Sequence, residues 1–512
     1  MIRWLWILAP ALLVLVPVLL RPAAERPSGR TVTVITPHGE AARLEFASAF
    51  AAWSRERTGA AIAIDWRTPG GSGDIERLLR ARFAGALREA GIDPAAAVDA
   101  THDGATTAAG AARAAFLASH LGAGIDILWG GGEFTHRRLA GAGFLVDGGV
   151  QQRHPEWFDP AIMPQEVAGE VIWDRAGRYY GSCLAVFGIV SHTGRLAAAG
   201  IDAPPSSWAD LADPRLRDRI VIADPTRSAA VLTGLERLIQ TEMQRTPDDL
   251  EAGWRAGWSV ILRMTANARR ITDGASPAVR EVVRGDGAAA MAIDFHARSE
   301  IEWAAAEDRA GGRSGTRAVF LAAAAGTSVS ADPIAILRGA PDRAGAELLV
   351  DFILSPEGQR LWNFRPGTPG GPQRWALRRM PVRRDSYGEA ERVHMSDPTV
   401  DPYALAEGFR YRPAWTAPHR PVLEKLVRSA LIDPHRELVA AWSAVLAAGG
   451  PERVPAAWAE LSAAPLGHAE TAALAKAWRG RPALAIAGER RAMTEAAVER
   501  YRRARALAEA GR

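Results

Sequence analysis

Three observations predict an α/β fold of more than one domain. Strand-like and helix-like runs alternate along most of the chain, as in parallel sheets joined by crossover helices. At 512 residues the chain exceeds what one hydrophobic core usually organises. Its 48% hydrophobic and 23% charged residues are those of a folded globular protein rather than a disordered one. The net charge of +4 is small, and no basic patch interleaved with aromatics offers a footprint for nucleic acid.

The elements follow in order. After a Pro/Gly/Ser linker near Glu25–Arg30, TVTVITPHG reads as a strand running into a loop. Glu40–Arg57 places Leu44, Ala47, Phe50, Ala51 and Ser54 at helical spacing, and Gly59 closes the helix. AIAIDW is a second strand, followed by the loop TPGGSGD and a helix from Asp74. Gly85–Gly110 is Ala-rich and weakly patterned, suited to helical pieces on the surface. GIDILWGGG is a strand ending in three glycines, with a helix from Phe134 to Ala142. The long apolar YYGSCLAVFGIVSH follows, then the turn-rich PPSSWADLADPRLRD and the strand RIVIAD leading into PTRSAAVLTGLERLI. A helix-like run at Ala278–Arg284, a Gly-Asp-Gly turn and an apolar strand that stops at Asp294, Phe295 and His296 come next. ADPIAIL is a late strand, and Arg343–Leu354 a helix. In SPEGQRLW, Ser355 caps a helix and Pro356 takes its first position. Beyond Met380 the chain is rich in Arg, Pro and Trp and ends in amphipathic helices. No repeat of fixed period is present.

MIRWLWILAPALLVLVPVLLRPAA reads as an export segment over residues 1–24, cleaved as a signal peptide or retained as a membrane anchor. Its apolar run of about 17 residues is short for a membrane span. The single Cys183 cannot form an internal disulfide and reads as a small buried hydrophobe.

Four strand ends carry small or polar residues that leave backbone N–H groups free: Thr36-Pro37-His38-Gly39, Trp129-Gly130-Gly131-Gly132, Asp224-Pro225-Thr226-Arg227-Ser228 and Asp294-Phe295-His296. Glycines admit a ligand close to the backbone, and a helix N-terminus favours an anion. Thr226, Arg227 and Ser228 offer hydroxyl, amide and guanidinium donors to a phosphate or carboxylate. Each stretch also has a plainer reading as a helix start or a turn; together they point to a cleft. Enzyme signatures are missing. There is no G-x-S-x-G elbow, H-E-x-x-H, P-loop or Cys-based metal motif, and GAGFLVDGG lacks dinucleotide glycine spacing. The balance moves towards binding without turnover.

TVTVITPHGEAARLEFASAFAAW, AIDWRTPGGSGD, DILWGGGEFTHRRLAGAGFL, YYGSCLAVFGIVSHTGRL, SWADLADPRLRDRIVIADPTRSA, NARRITDGASPAVREVVRGDGAAAMAIDFHA and DPIAILRGAPDRAGAELLVDFILSPEGQRLW, in this order over roughly Thr31 to Arg384, resemble the extracellular solute-binding proteins of ABC importers. The branch is that of the ferric-iron-binding proteins, with a type II periplasmic-binding fold. The resemblance implies two α/β lobes joined by a hinge, with the ligand between them. Residues 31–181 and the return 325–384 would form lobe 1, residues 182–324 lobe 2, and residues 385–512 a mostly helical C-terminal extension. Tyr179–Gly181 and the region near Thr327 would be hinge strands.

In iron-binding members an adjacent tyrosine pair stands near the end of the strand matching AAAMAIDFH. Phe295-His296 stands there in this chain, and a phenyl ring cannot ligate a metal. Tyr179-Tyr180 is an adjacent pair, but at the hinge. The expectation is therefore a periplasmic binder of a small polar or anionic solute, monomeric, with no cofactor and no metal, that delivers its solute to a membrane permease. Thr36, His38, Gly39, Trp129, Gly130, Gly131, Thr226, Arg227, Ser228, Ser276, Asp294 and Phe295 are the expected ligand contacts. The rivals are a ferric-iron carrier and a periplasmic enzyme acting on a phosphorylated or glycosidic substrate.

Overall fold

The computed structural model describes residues 29–312, 316–481 and 483–511; the expected export segment lies outside them. The chain begins with β1 (Thr31–Ile35), α1 (Glu40–Thr58), β2 (Ala63–Arg67), α2 (Ser72–Glu89), β3 (Ile127–Trp129) and α3 (Glu133–Gly141). After a small hairpin, β4 (Glu166–Val167) and β5 (Glu170–Val171), comes the long β6 (Tyr180–His192). Next are β7 (Ile220–Ala223), α4 (Ala229–Arg245), α5 (Leu250–Ala266), β8 (Ala268–Thr272), α6 (Ala275–Val283), β9 (Ala289–Ile293) and α7 (Asp294–Ala310). The chain returns through β10 (Ala318–Ala322), β11 (Val329–Leu337), α8 (Arg343–Leu354), α9 (Pro356–Asn363) and β12 (Met380–Pro381). Beyond β12 the chain is mostly helical, its last and longest helix being Ala487–Glu509.

The main sheet runs β2-β1-β3-β11-β6-β9-β7-β8, with β10 and β12 also paired to β6. β1 is parallel to β2 and β3, and β7 is parallel to β8 and β9. The alternation of strand and helix in the sequence thus produces parallel units on both sides, each with its strand C-termini at one edge. β6 joins the two. Its residues Tyr180–Val186 pair with β11, while Phe187–Ser191 pair with β9 and Gly188–His192 with β10. The change of partner falls between Val186 and Phe187, where the Phe187 amide donates to Thr327 Oγ1 at 2.9 Å. The neighbourhood of Thr327 therefore sits at the change of sheet, whereas Tyr179–Gly181 lies several residues inside the first half. Nothing in the unbroken apolar run of β6 marks the crossing. Burial on both faces of the strand is what gives it that run.

Two large hydrophobic cores follow this division. Val34, Phe46, Trp129, Leu184, Ile334 and Phe352 belong to one. Ile220, Leu235, Trp254, Leu426, Trp442 and Tyr501 belong to another, so the C-terminal helices share the core of the second half. In α1 the buried stripe is Ala42, Glu45, Phe46, Phe50 and Ser54. Leu44, expected on that stripe, is 44% exposed. Phe46 and Phe50, one turn apart, bury more apolar surface than Leu44 could and so set the face. Among the described residues no helix is long and apolar enough to cross a membrane.

Candidate functional site between the two halves of the sheet

Loops from the C-terminal ends of β1 and β3 meet beside β11. The Gly130 amide donates to the Pro333 carbonyl at 2.7 Å, and the Gly132 amide donates to Asp332 Oδ1 at 3.2 Å. Gly130 has φ 87°, and a Cβ there would stand 2.8 Å from His38 Cε1. The glycine run is thus what lets the two loops touch. The β11–β6 register shifts between Asp332 and Pro333. A proline cannot donate to the ladder, and a bulge re-aims the side chain beside it, here Asp332.

A chain of polar contacts runs through this point. Thr36 Oγ1 lies 2.8 Å from His38 Nδ1, and His38 Nε2 lies 3.2 Å from Asp332 Oδ2. Arg379 Nη1 donates to the same Asp332 oxygen at 2.9 Å and points at the Cys183 sulfur at 3.7 Å. The Arg379 guanidinium then covers the Phe295 ring at 3.7 Å. Phe295 is the second residue of α7, which starts directly where β9 ends. This contact joins the β1/β3/β11 side to the β9/α7 side.

Burial decides the charges. It holds His38 below its ordinary pKa, with the nearby Arg379 adding to that and Asp332 opposing it. A neutral His38 that donates from Nε2 to Asp332 accepts the Thr36 hydroxyl at Nδ1. Burial alone would raise Asp332, but the His38 hydrogen bond and the Arg379 charge hold it well below the usual carboxylate range. Asp294 is the converse case. Burial pushes its carboxyl up to about 6 against the pull of Arg298. Both of its oxygens lack a hydrogen bond, although the Phe295 and Val186 amides lie near. Burial brings His296 down to about 4, helped by Arg379, and its Nδ1 is also without a partner. Burial pushes the Cys183 thiol up to about 12, so it is no nucleophile.

The expected contacts separate into groups. Thr36, His38, Gly130, Gly131, Asp294 and Phe295 fall around this chain of contacts, and Gly131 faces the Ser72 hydroxyl at the start of α2. Gly39 is exposed at the N-terminus of α1. Trp129 stands behind the site: it is fully buried, packs edge-on to His38 at 4.8 Å, and donates its indole N–H to Ser182 Oγ. It supports His38 rather than offering a free ring. Thr226 is turned onto Asp224 Oδ1 at 2.7 Å, and Ser228 caps α4. Arg227 is exposed and paired with Asp273 at 2.8 Å. Ser276 is half-buried in the first turn of α6. No hydrogen bond among the described residues ties the Thr226–Ser228 group to His38 or Asp332.

Asp332 and Arg379 were not among the expected contacts. An Asp-Pro step inside an apolar strand was the available signal for Asp332, because proline in a strand interior marks a bulge. Arg379 is one of many arginines in its stretch, and only the pairing of β12 with β6 brings it in. Tyr179 and Tyr180 point to opposite faces, as neighbours on a strand must. Tyr179 donates to Glu133 at 2.9 Å beside a smaller apolar cluster that includes Phe83, Phe116 and Phe144, and Tyr180 packs in the core of Phe46 and Trp129. They cannot grip one ion together.

The chain spans 60% of the length of one curated relative and 38% of another. The first is an uncharacterized protein of Haemophilus influenzae, 26% identical over 234 residues, or 46% of this chain. The second is the phosphoglycerate transport regulatory protein PgtC of Salmonella typhimurium, 23% identical over 175 residues, or 34% of this chain. Among solved structures, the periplasmic binding protein AfuA from Actinobacillus pleuropneumoniae, with fructose-6-phosphate bound, aligns at a TM-score of 0.48. It shares 18% identity over 74% of this chain and 91% of its own. At family level, residues 156–377, from ahead of β6 to just short of Arg379, match the bacterial extracellular solute-binding protein family.

Proposed function

We propose that this chain is the periplasmic solute-binding component of an ABC transporter. It captures a small polar or anionic solute between the two halves of the sheet and hands it, unchanged, to a membrane permease. It acts as a monomer. The observation that carries this reading is the meeting at Asp332, Arg379 and Phe295 of loops from both sides of β6. Two α/β units that share few strands can part and close about them, and contacts available only when both meet a ligand drive such closure. The family match over residues 156–377 supports the transport role. A relative named for phosphoglycerate transport supports an anionic solute.

Binding without turnover is supported by the site itself. Thr36, His38 and Asp332 form a hydroxyl–imidazole–carboxylate line of the kind that activates a nucleophile. Yet Thr36 is wholly buried, and its oxygen also accepts the His38 amide at 3.1 Å. That hydroxyl holds His38 in place and offers no face to a substrate.

Native mass spectrometry of protein purified gently from its host tests the reading. The expected result is one retained small molecule, recovered intact, and a protein without visible absorption after incubation with ferric citrate. Chemical conversion of the retained molecule, or a coloured ferric complex, would overturn it.

A further inference from the structure

We infer that Arg379 is a solute-recognising residue, and that it takes an oxyanion, a phosphate or a carboxylate. The inference rests on the solute-binding reading of the site and names the class of solute and a residue that reading does not require.

A guanidinium has five N–H donors in a planar fork. In Arg379 only Nη1 is engaged, by Asp332 and the Cys183 sulfur. Nε and Nη2 donate to nothing among the described residues, and the side chain keeps 12% of its exposure. Phe295 lies against the face of the fork and Asp332 holds one corner, so the unengaged edge is the one left for a ligand. Asp332 is itself fixed by His38 and by the Gly132 amide. The fork is therefore held in place before a ligand arrives, which lowers the entropy lost on binding. Its planar edge matches the spacing of two oxygens of a carboxylate or phosphate. Arg378, just before it, is held at φ 53° by hydrogen bonds to Glu302 and Asp397 at 2.7 Å each, and this backbone turn delivers Arg379 to the site.

The test is calorimetric titration of the full exported protein, freed of retained solute, with 3-phosphoglycerate, glycerate, inorganic phosphate and glycerol. The wild type is expected to bind at least one of the three oxyanions. Comparison of 3-phosphoglycerate, glycerate and phosphate tells whether the phosphate or the carboxylate is the group received. Arg379→Gln should weaken that oxyanion by about tenfold to a hundredfold, the range for hydrogen bonds to a charged group. Arg379→Lys keeps the charge without the fork and should fall between the two. Thermal melts of both variants show whether each is folded, and Arg379→Lys alone decides the matter if Arg379→Gln is not. A folded variant with unchanged oxyanion affinity would overturn the inference. So would a wild type whose retained solute is neutral or cationic, an outcome that leaves the solute-binding reading intact. A wild type that retains and binds no small molecule would overturn that reading first.

Discussion

Two buried polar clusters bridge the halves of this molecule, and they differ in how completely they are satisfied. One surrounds Arg237 and Glu236 on α4. Arg237 Nε donates to Glu170 of β5 at 3.0 Å and to Ser328 at 2.7 Å, and its guanidinium covers the Tyr411 ring at 3.6 Å. Glu236 accepts from Tyr411, Thr416 and Arg420 at 3.0, 2.6 and 2.6 Å. The segment carrying Tyr411 thereby ties the β4–β5 hairpin to α4, and the Tyr411 amide also donates to the Ala168 carbonyl at 2.8 Å. The other cluster holds Asp294, Phe295, His296 and Arg379, where both Asp294 oxygens and His296 Nδ1 lack a hydrogen bond, Asp294 is ion-paired with Arg298 at 3.8 Å, and Arg379 uses one corner of its fork. The first network leaves only Arg237 Nη1 among its cited groups without a hydrogen bond, and that atom lies 3.2 Å from Glu236 Oε2 in an ion pair, so the network specifies structure, while the several buried polar atoms without hydrogen bonds in the second point to something the chain meets later.

The largest expected effect falls on the cluster around Glu236. Burial would raise Glu236, but Arg237, Arg420 and the two hydroxyls bring it down to about 2. A folded-state pKa below the ordinary 4.5 gives stability that is present above pH 4.5 and lost as the pH falls towards 2. Glu236→Ala leaves Arg237 and Arg420 facing a missing charge, and should lose about 3–5 kcal/mol in chemical denaturation at pH 7. A loss below about 1 kcal/mol would mean that these contacts hold nothing together and would erase the contrast between the two clusters.

Asp294 should behave with the opposite sign. Its folded pKa of about 6 lies above the ordinary 3.8, so between these values the folded state binds more protons than the unfolded one. Stability then falls as the pH rises from about 4 to 6 and stays reduced above that. Asp294→Asn removes the buried charge and should be more stable than the wild type at pH 7.5 by on the order of 1–3 kcal/mol, with little difference at pH 4. Denaturant melts at the two pH values check this. An Asn variant less stable at pH 7.5 would show that the pairing of Asp294 with Arg298 outweighs the cost of burying its charge, and the two clusters would then be alike.

The legible part of this molecule was whatever local pattern decides. The strand–helix alternation, the Ser355-Pro356 helix start and the glycine run after Trp129 are set by neighbours in sequence, and each stands where it was expected. What stayed hidden is set by pairing across long separations. Asp294 looked like the end of a strand and is the first residue of a helix, because a carboxylate suits a helix N-terminus as well as it suits a loop. Arg379 meets Asp332 and Phe295 only through the short β12. Trp129 sits at a strand end beside glycines, as a ligand wall would, but Phe46 and Trp362 close over it.

The smallest effect on stability is expected at Arg227, and it sharpens the contrast from outside both clusters. Arg227 and Asp273 are exposed, at 58% and 85% of their side-chain surface, so their ion pair works in high dielectric and against side-chain entropy. Arg227→Ala should change stability by less than about 0.5 kcal/mol. If the Thr226–Ser228 loop contributes to solute capture, the same variant lowers affinity at least tenfold by calorimetry with the solute that copurifies, about 1.4 kcal/mol. Glu236→Ala would move stability, Arg227→Ala would move affinity, and neither would move both if scaffold and site are separate. An Arg227→Ala protein with wild-type affinity would remove the loop from the site and leave recognition to the residues around Asp332 and Arg379.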